Sequence, residues 1–117
     1  MLTVYCYKNC STCREALRWL AEHGLPHTVK EVRENPPTVG ELRTVLKAYD
    51  GDLRRLFNTA GTDYRALQLK GQLATMTEAT AFELLTHHGN LVKRPLVVGD
   101  GKALVGFHPV AWKRALC

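Results

Sequence analysis

Lys8-Asn9-Cys10-Ser11-Thr12-Cys13-Arg14 lies between an apolar run, Leu2 to Tyr7, and a run with helical spacing, Glu15 to His23. Two cysteines separated by two residues at a strand-to-helix junction point to redox chemistry. A helix N-terminus leaves backbone N–H groups unpaired and carries about half a positive charge. A thiolate placed there is stabilised, so its pKa is expected to fall from about 8.5 into the range of roughly 3.5 to 7.5. Cys10, at the mouth of the helix, is expected to be the attacking thiolate, and Cys13, in the first turn, the resolving thiol. Arg14 would add a fixed positive charge beside the sulfur. Zinc is the competing use of such a pair, but it needs two more ligands at workable spacing. Cys6 sits on a strand and His87-His88 are adjacent on a helix, so no metal is expected. Cys6 itself reads as a small buried hydrophobe.

Leu2 to Tyr7 is uncharged and β-rich, as in a strand buried on both faces. Ala16, Leu17, Leu20 and Ala21 recur at helical spacing and mark the inner face of the first helix. Gly24 and Pro26 end that helix, and His27 to Val32 reads as a second strand. Strand, helix and strand over about thirty residues predict a parallel βαβ unit. After Asn35-Pro36-Pro37, Thr38 and Glu41 form a capping box for a helix from Val39 to Tyr49. Short helical pieces follow at Leu53 to Phe57 and from Asp63. A further helix starts at Thr77 and is closed by Gly89. Leu96-Val97-Val98, the turn Gly99-Asp100-Gly101 and Lys102 to Val105 predict a hairpin. Pro109 suits the first position of a last helix, with His108 as a candidate cap. The order is β-α-β, a helical insertion at about 38–90, then β-β-α, in one α/β domain over residues 1–117 with a central mixed sheet.

The chain has 117 residues, of which 45% are hydrophobic, enough for one real core. No apolar run approaches the roughly 18 residues of a membrane span, and no basic leader with a cleavage site precedes Cys10. Both features point to the cytosol, where a cysteine pair is catalytic, redox-sensing or metal-binding rather than a structural staple. The net charge of +5 favours anionic partners. The basic residues are scattered with no Lys/Arg block, so direct nucleic-acid binding is not expected.

Three motifs in order carry a resemblance. They are Tyr7-Lys8-Asn9-Cys10-Ser11-Thr12-Cys13-Arg14, Asn58-Thr59-Ala60-Gly61-Thr62-Asp63-Tyr64-Arg65, and Lys93-Arg94-Pro95-Leu96. Together they resemble the arsenate reductase/Spx family, over about Leu2 to Leu116. The resemblance implies a thioredoxin-like fold with a helical insertion. It implies a substrate-attacking cysteine at Cys10, with Arg94 and Arg54 as the arginines that hold a bound oxyanion. Pro95 would be the cis proline facing the cysteine motif. Two departures count against arsenate itself: a third arginine of the reductases falls near Gly106, and the histidine four residues before the reductase cysteine is Cys6 here. The Spx-like and YffB-like branches resemble the chain better around the motif. The Spx-like branch implies a thiol/disulfide switch that binds the C-terminal domain of the RNA polymerase α subunit. The YffB-like branch implies a glutathione-dependent thiol reductase.

Two readings follow. In the first, the protein is a thiol oxidoreductase. Cys10 attacks an oxidised sulfur or an oxyanion, and Cys13 or glutathione resolves the intermediate. Arg94, with Arg14 and Arg54, holds negative charge. No cofactor is bound, and glutathione, glutaredoxin or thioredoxin supplies electrons. In the second, the Cys10–Cys13 pair switches a surface that binds the polymerase α subunit, and nothing is turned over.

Overall fold

The computed structural model describes residues 1–117. Its centre is strand β1 (Leu2–Cys6), which has a neighbour on each side. It pairs in parallel with β2 (His27–Glu31), register Val4 to Val29, through the crossover helix α1 (Ser11–Glu22). On its other side it pairs antiparallel with β3 (Leu96–Gly99), register Val4 to Val97. A hairpin adds β4 (Lys102–Val105), so the order is β2-β1-β3-β4 and the sheet is mixed. This is the thioredoxin-like arrangement that the order of the elements calls for.

A central strand must bury both faces, and β1 does so by alternation. Leu2, Val4 and Cys6 face α1 and the last helix, α5 (Pro109–Leu116), in one core with Cys13, Ala16, Leu20 and Trp112. Tyr5 faces the larger core on the opposite side, with Leu42, Val45, Phe57, Phe82 and Leu85. Trp112 is 1% exposed, and its indole N–H donates to the Gly106 carbonyl at 3.0 Å. Trp19 and Phe107 meet it edge-on at 5.8 and 4.9 Å. Both tryptophans therefore pack rather than present a stacking platform.

Between β2 and β3 the chain is helical: α2 (Val39–Ala48), a 3-10 turn at Leu53–Leu56, α3 (Thr62–Ala66), α4 (Glu78–His87) and a 3-10 turn at Gly89–Leu91. The capping box forms. Thr38 Oγ1 accepts from Glu41 N–H at 3.1 Å, and Glu41 Oε1 accepts from Thr38 N–H at 2.9 Å. The same carboxylate oxygen accepts from the Tyr5 hydroxyl at 2.7 Å, so the box also moors α2 to the sheet. Burial and this bond to Glu41 push the Tyr5 hydroxyl well above its ordinary range. Thr38→Ala is expected to cost about 1 kcal/mol, read from the urea unfolding midpoint.

Two details differ from expectation. The helix α4 stops at His87 as expected, but Gly89 opens the 3-10 turn that follows rather than closing the helix in a left-handed conformation. Gly89 lies against the end of β2, where an added Cβ would overlap the Val32 carbonyl oxygen. His108 stands at the N-cap of α5 but makes no side-chain cap bond, its ring lying instead beside Gly106. No helix is long and apolar enough to cross a membrane.

Candidate functional site

Cys10 ends the turn out of β1. Its N–H donates to the Tyr7 carbonyl at 3.0 Å, and its own carbonyl accepts the first bond of α1, from Arg14 N–H at 3.1 Å. It is the N-cap residue, in extended conformation (φ −101°, ψ 118°), and its sulfur makes no cap hydrogen bond. Cys10 is half-buried, whereas Cys13 is 1% exposed. Accessibility therefore orders the pair: a substrate can reach Cys10 but not Cys13. All four cysteines, including exposed Cys117, are free thiols.

Behind Cys13 lies Cys6, which alternation along β1 places on the face that α1 covers. The Cys6 S–H donates to the Cys13 sulfur, and this bond is the largest influence holding the Cys13 thiol down to about 6. The Tyr7 backbone, the Cys10 thiol and the Arg94 charge act in the same direction, against burial, which raises it. Cys6 is pushed far above the thiol range by its bond to Cys13, then by burial and by the charge on Cys13. The pair thus keeps its proton on Cys6 and its negative charge on Cys13.

That arrangement has a kinetic signature. Removing the donor with Cys6→Ala is expected to raise the Cys13 pKa toward the ordinary value of about 8.5. A fully relaxed thiol would be some 300-fold less ionised near pH 5, partly offset by about tenfold greater nucleophilicity, so attack by Cys13 slows by as much as about 30-fold there. Above about pH 8.5 the same variant is faster than the parent, and the two pH–rate profiles cross. Cys6→Ser keeps a donor and is expected to follow the parent. Stopped-flow release of a substrate thiol against pH reads all three.

Arg94 is the cation whose charge reaches Cys13. It is half-buried, and its guanidinium carbon stands 5.1 Å from the centroid of the Tyr7 ring. Arg33 contacts the same ring at 4.8 Å and donates to the Tyr7 hydroxyl at 3.0 Å. One Arg94 N–H donates to the Asn90 carbonyl at 3.4 Å. Tyr7 and Asn90 thus orient a five-donor fork, whose other N–H groups remain for an anion. The Arg94–Pro95 peptide is cis, and buried Pro95 accepts from Gly106 N–H at 2.9 Å.

The remaining expected residues sit elsewhere. Arg14 is exposed and donates to the Lys8 carbonyl at 3.3 Å, bracing the turn before Cys10. It also lines a cavity of about 330 Å³ with Cys6, Cys13, Leu17 and Glu31. Arg54 is exposed on the 3-10 turn before Phe57 and lines three other cavities, none of which includes a cysteine. Sequence reasoning missed Cys6 as a partner of Cys13, and Tyr7 as the support of Arg94. A signal existed for the first, since Cys6 shares the parity of Leu2 and Val4. None existed for the second, because a ring between two cations is a tertiary contact.

Known proteins share this frame. A curated relative, the uncharacterized protein YusI of Bacillus subtilis, is 43% identical over 106 residues, covering 91% of this chain and 90% of that protein. A solved structure of a possible arsenate reductase from Streptococcus mutans superposes with a TM-score of 0.85 at 38% identity, covering 92% of each chain. The global transcriptional regulator Spx of Listeria innocua is 24% identical over 116 residues, covering 99% of this chain and 87% of that protein. The ArsC family model matches residues 5–115. With a half-buried cysteine at the mouth of α1, a thiol behind it and an arginine beside a cis proline, the chain belongs to the ArsC family.

Proposed function

We propose that the protein is a dithiol oxidoreductase acting on oxidised sulfur. The observation that carries this reading is the contrast within the pair: Cys10 is reachable, while the depressed thiol, Cys13, is hidden behind it. Cys10 sulfur attacks one sulfur of a substrate disulfide. The Cys10 proton passes to the Cys13 thiolate, which already hydrogen-bonds it. The substrate S–S bond breaks, and one half leaves as a thiolate that Arg94 can stabilise. Cys13 then attacks the Cys10 sulfur, and its proton passes to the departing second half of the substrate. The Cys10–Cys13 disulfide forms and the second substrate half leaves as a thiol. Two electrons have passed from the dithiol to the substrate, and an external thiol, glutathione or a dithiol protein, returns them.

Arsenate is the less favoured substrate. Gly106 supplies no guanidinium where the reductases' third arginine falls, and Cys6 replaces their histidine. A coupled assay offering arsenate or a small disulfide, with glutathione/glutaredoxin or thioredoxin as donor, tests the reading. It is expected to show disulfide reduction and little or no arsenate reduction. Arsenate turnover matching disulfide turnover would reverse the assignment.

The likeness to Spx along nearly the whole chain supports a second reading, a redox-switched regulator. A pull-down with the polymerase α C-terminal domain, using oxidised and reduced protein, separates the two. Binding that changes with the redox state, in a protein that turns over no disulfide, would favour the regulator.

A further inference from the structure

The fold gathers cations that are far apart in the sequence. Three adjoining cavities, of about 570, 610 and 300 Å³, share Arg54. Arg65 and Lys70 line the first, and Arg55, Lys93 and His108 line the third. The one carboxylate among all the lining residues is Asp52, in the second cavity, and its oxygen already accepts from Arg54 N–H at 3.2 Å. The chain's single ion pair joins the N-terminal ammonium to Asp100, so none of these cations has a carboxylate within 4.0 Å. Like charges gathered without counter-charges repel one another, a cost that an anionic ligand removes.

The groove is not uniform. Its Asp52 end is walled by Leu53, Leu73, Ala74 and Met76. Its other end reaches Lys93, the residue before Arg94, and Gly106, whose N–H is bonded to Pro95. A single tetrahedral oxyanion is far too small for this length. A uniform polyphosphate would meet apolar walls and Asp52 at one end. A nucleic-acid strand would find only the His108 imidazole as an exposed ring on which to stack, because Tyr64 and Phe57 are buried. A peptide that carries acidic residues beside an apolar one matches both ends.

We infer that the Arg54 groove docks an acidic peptide segment of the protein's disulfide-bearing partner, running toward Arg94 so that the partner's sulfur is delivered to Cys10. This deepens the oxidoreductase reading and rests on it for the sulfur chemistry, though docking can be measured without that chemistry. The probes are a labelled cysteine-free peptide with acidic residues next to a leucine, its counterpart with the acids made neutral, and inorganic polyphosphate. They are titrated by fluorescence anisotropy at low and high salt. The expected result is binding of the acidic peptide that weakens with salt and drops about tenfold or more in Arg65→Glu/Lys70→Glu, both exposed positions whose folding circular dichroism checks. As mixed disulfides, the acidic peptide is expected to be reduced with a higher kcat/KM than the neutral one, and only that advantage is lost in the double variant. Equal binding of acidic and neutral peptides, no effect of the charge reversals, or polyphosphate displacing the peptide would overturn the assignment. Docking without any exchange would instead remove the oxidoreductase reading and leave the groove standing.

Discussion

Cys10→Ser is expected to reduce disulfide exchange to the uncatalysed background, a loss of about 10³-fold or more. The reason is chemical rather than structural. A serine hydroxyl is a poor nucleophile toward sulfur and does not displace a thiolate from a disulfide, whereas a thiol that hands its proton to a neighbouring thiolate does. Cys10 is half-buried and uses only its backbone to close the turn and start α1, so the substitution leaves the fold intact. Steady-state reduction of a small disulfide measures the loss, and an unchanged unfolding midpoint shows that it is catalytic. Cys13 cannot substitute, because at 1% exposure it is closed to the substrate.

Cys13→Ser is expected to separate the two chemical steps. Attack by Cys10 still occurs, so the protein gains the mass of one substrate half, but the adduct is not resolved from within. A neighbouring thiol has an effective concentration far above that of a millimolar external thiol, so turnover without added thiol falls about 10²-fold or more. Added glutathione restores part of it by attacking the adduct from outside. The serine hydroxyl can accept the Cys6 hydrogen bond in place of the Cys13 sulfur, which keeps the small core around Ala16 and Leu20 filled. Intact-mass measurement after one equivalent of disulfide reads the trapped species directly. Turnover equal to the parent without added thiol would remove Cys13 from the mechanism.

Much of this frame was legible in the sequence, and the parts that were not share a cause. The βαβ unit, the Thr38 capping box and the terminal hairpin are local features, specified by turn residues and short-range periodicity. The inner face of α1 was only partly legible. Ala16 and Leu20 are buried, but Leu17 is half-buried and Ala21 is exposed, while Cys13 completes the stripe. Small residues mark a helix face weakly, and the packing of α1 on β1 decides which of them turn inward. Cys6 was legible as buried, and its parity with Leu2 and Val4 put the three on one face, but a strand covered on both sides shows no polar alternation to say which helix that face meets. The cations of the Arg54 groove read as scattered because Arg54, Arg65, Lys70 and Lys93 come together only when the insertion folds against the end of the sheet.

The proposed chemistry turns on the order in which two sulfurs react. Reduced protein is mixed with less than one equivalent of a disulfide, quenched with an alkylating agent at increasing delays, and mapped by peptide mass. The prediction is a mixed disulfide on Cys10 at the earliest times, converting to Cys10–Cys13, with Cys6 and Cys117 alkylated throughout. A first adduct on Cys13, Cys6 or Cys117, or an adduct on Cys10 that never passes to Cys13, would contradict it.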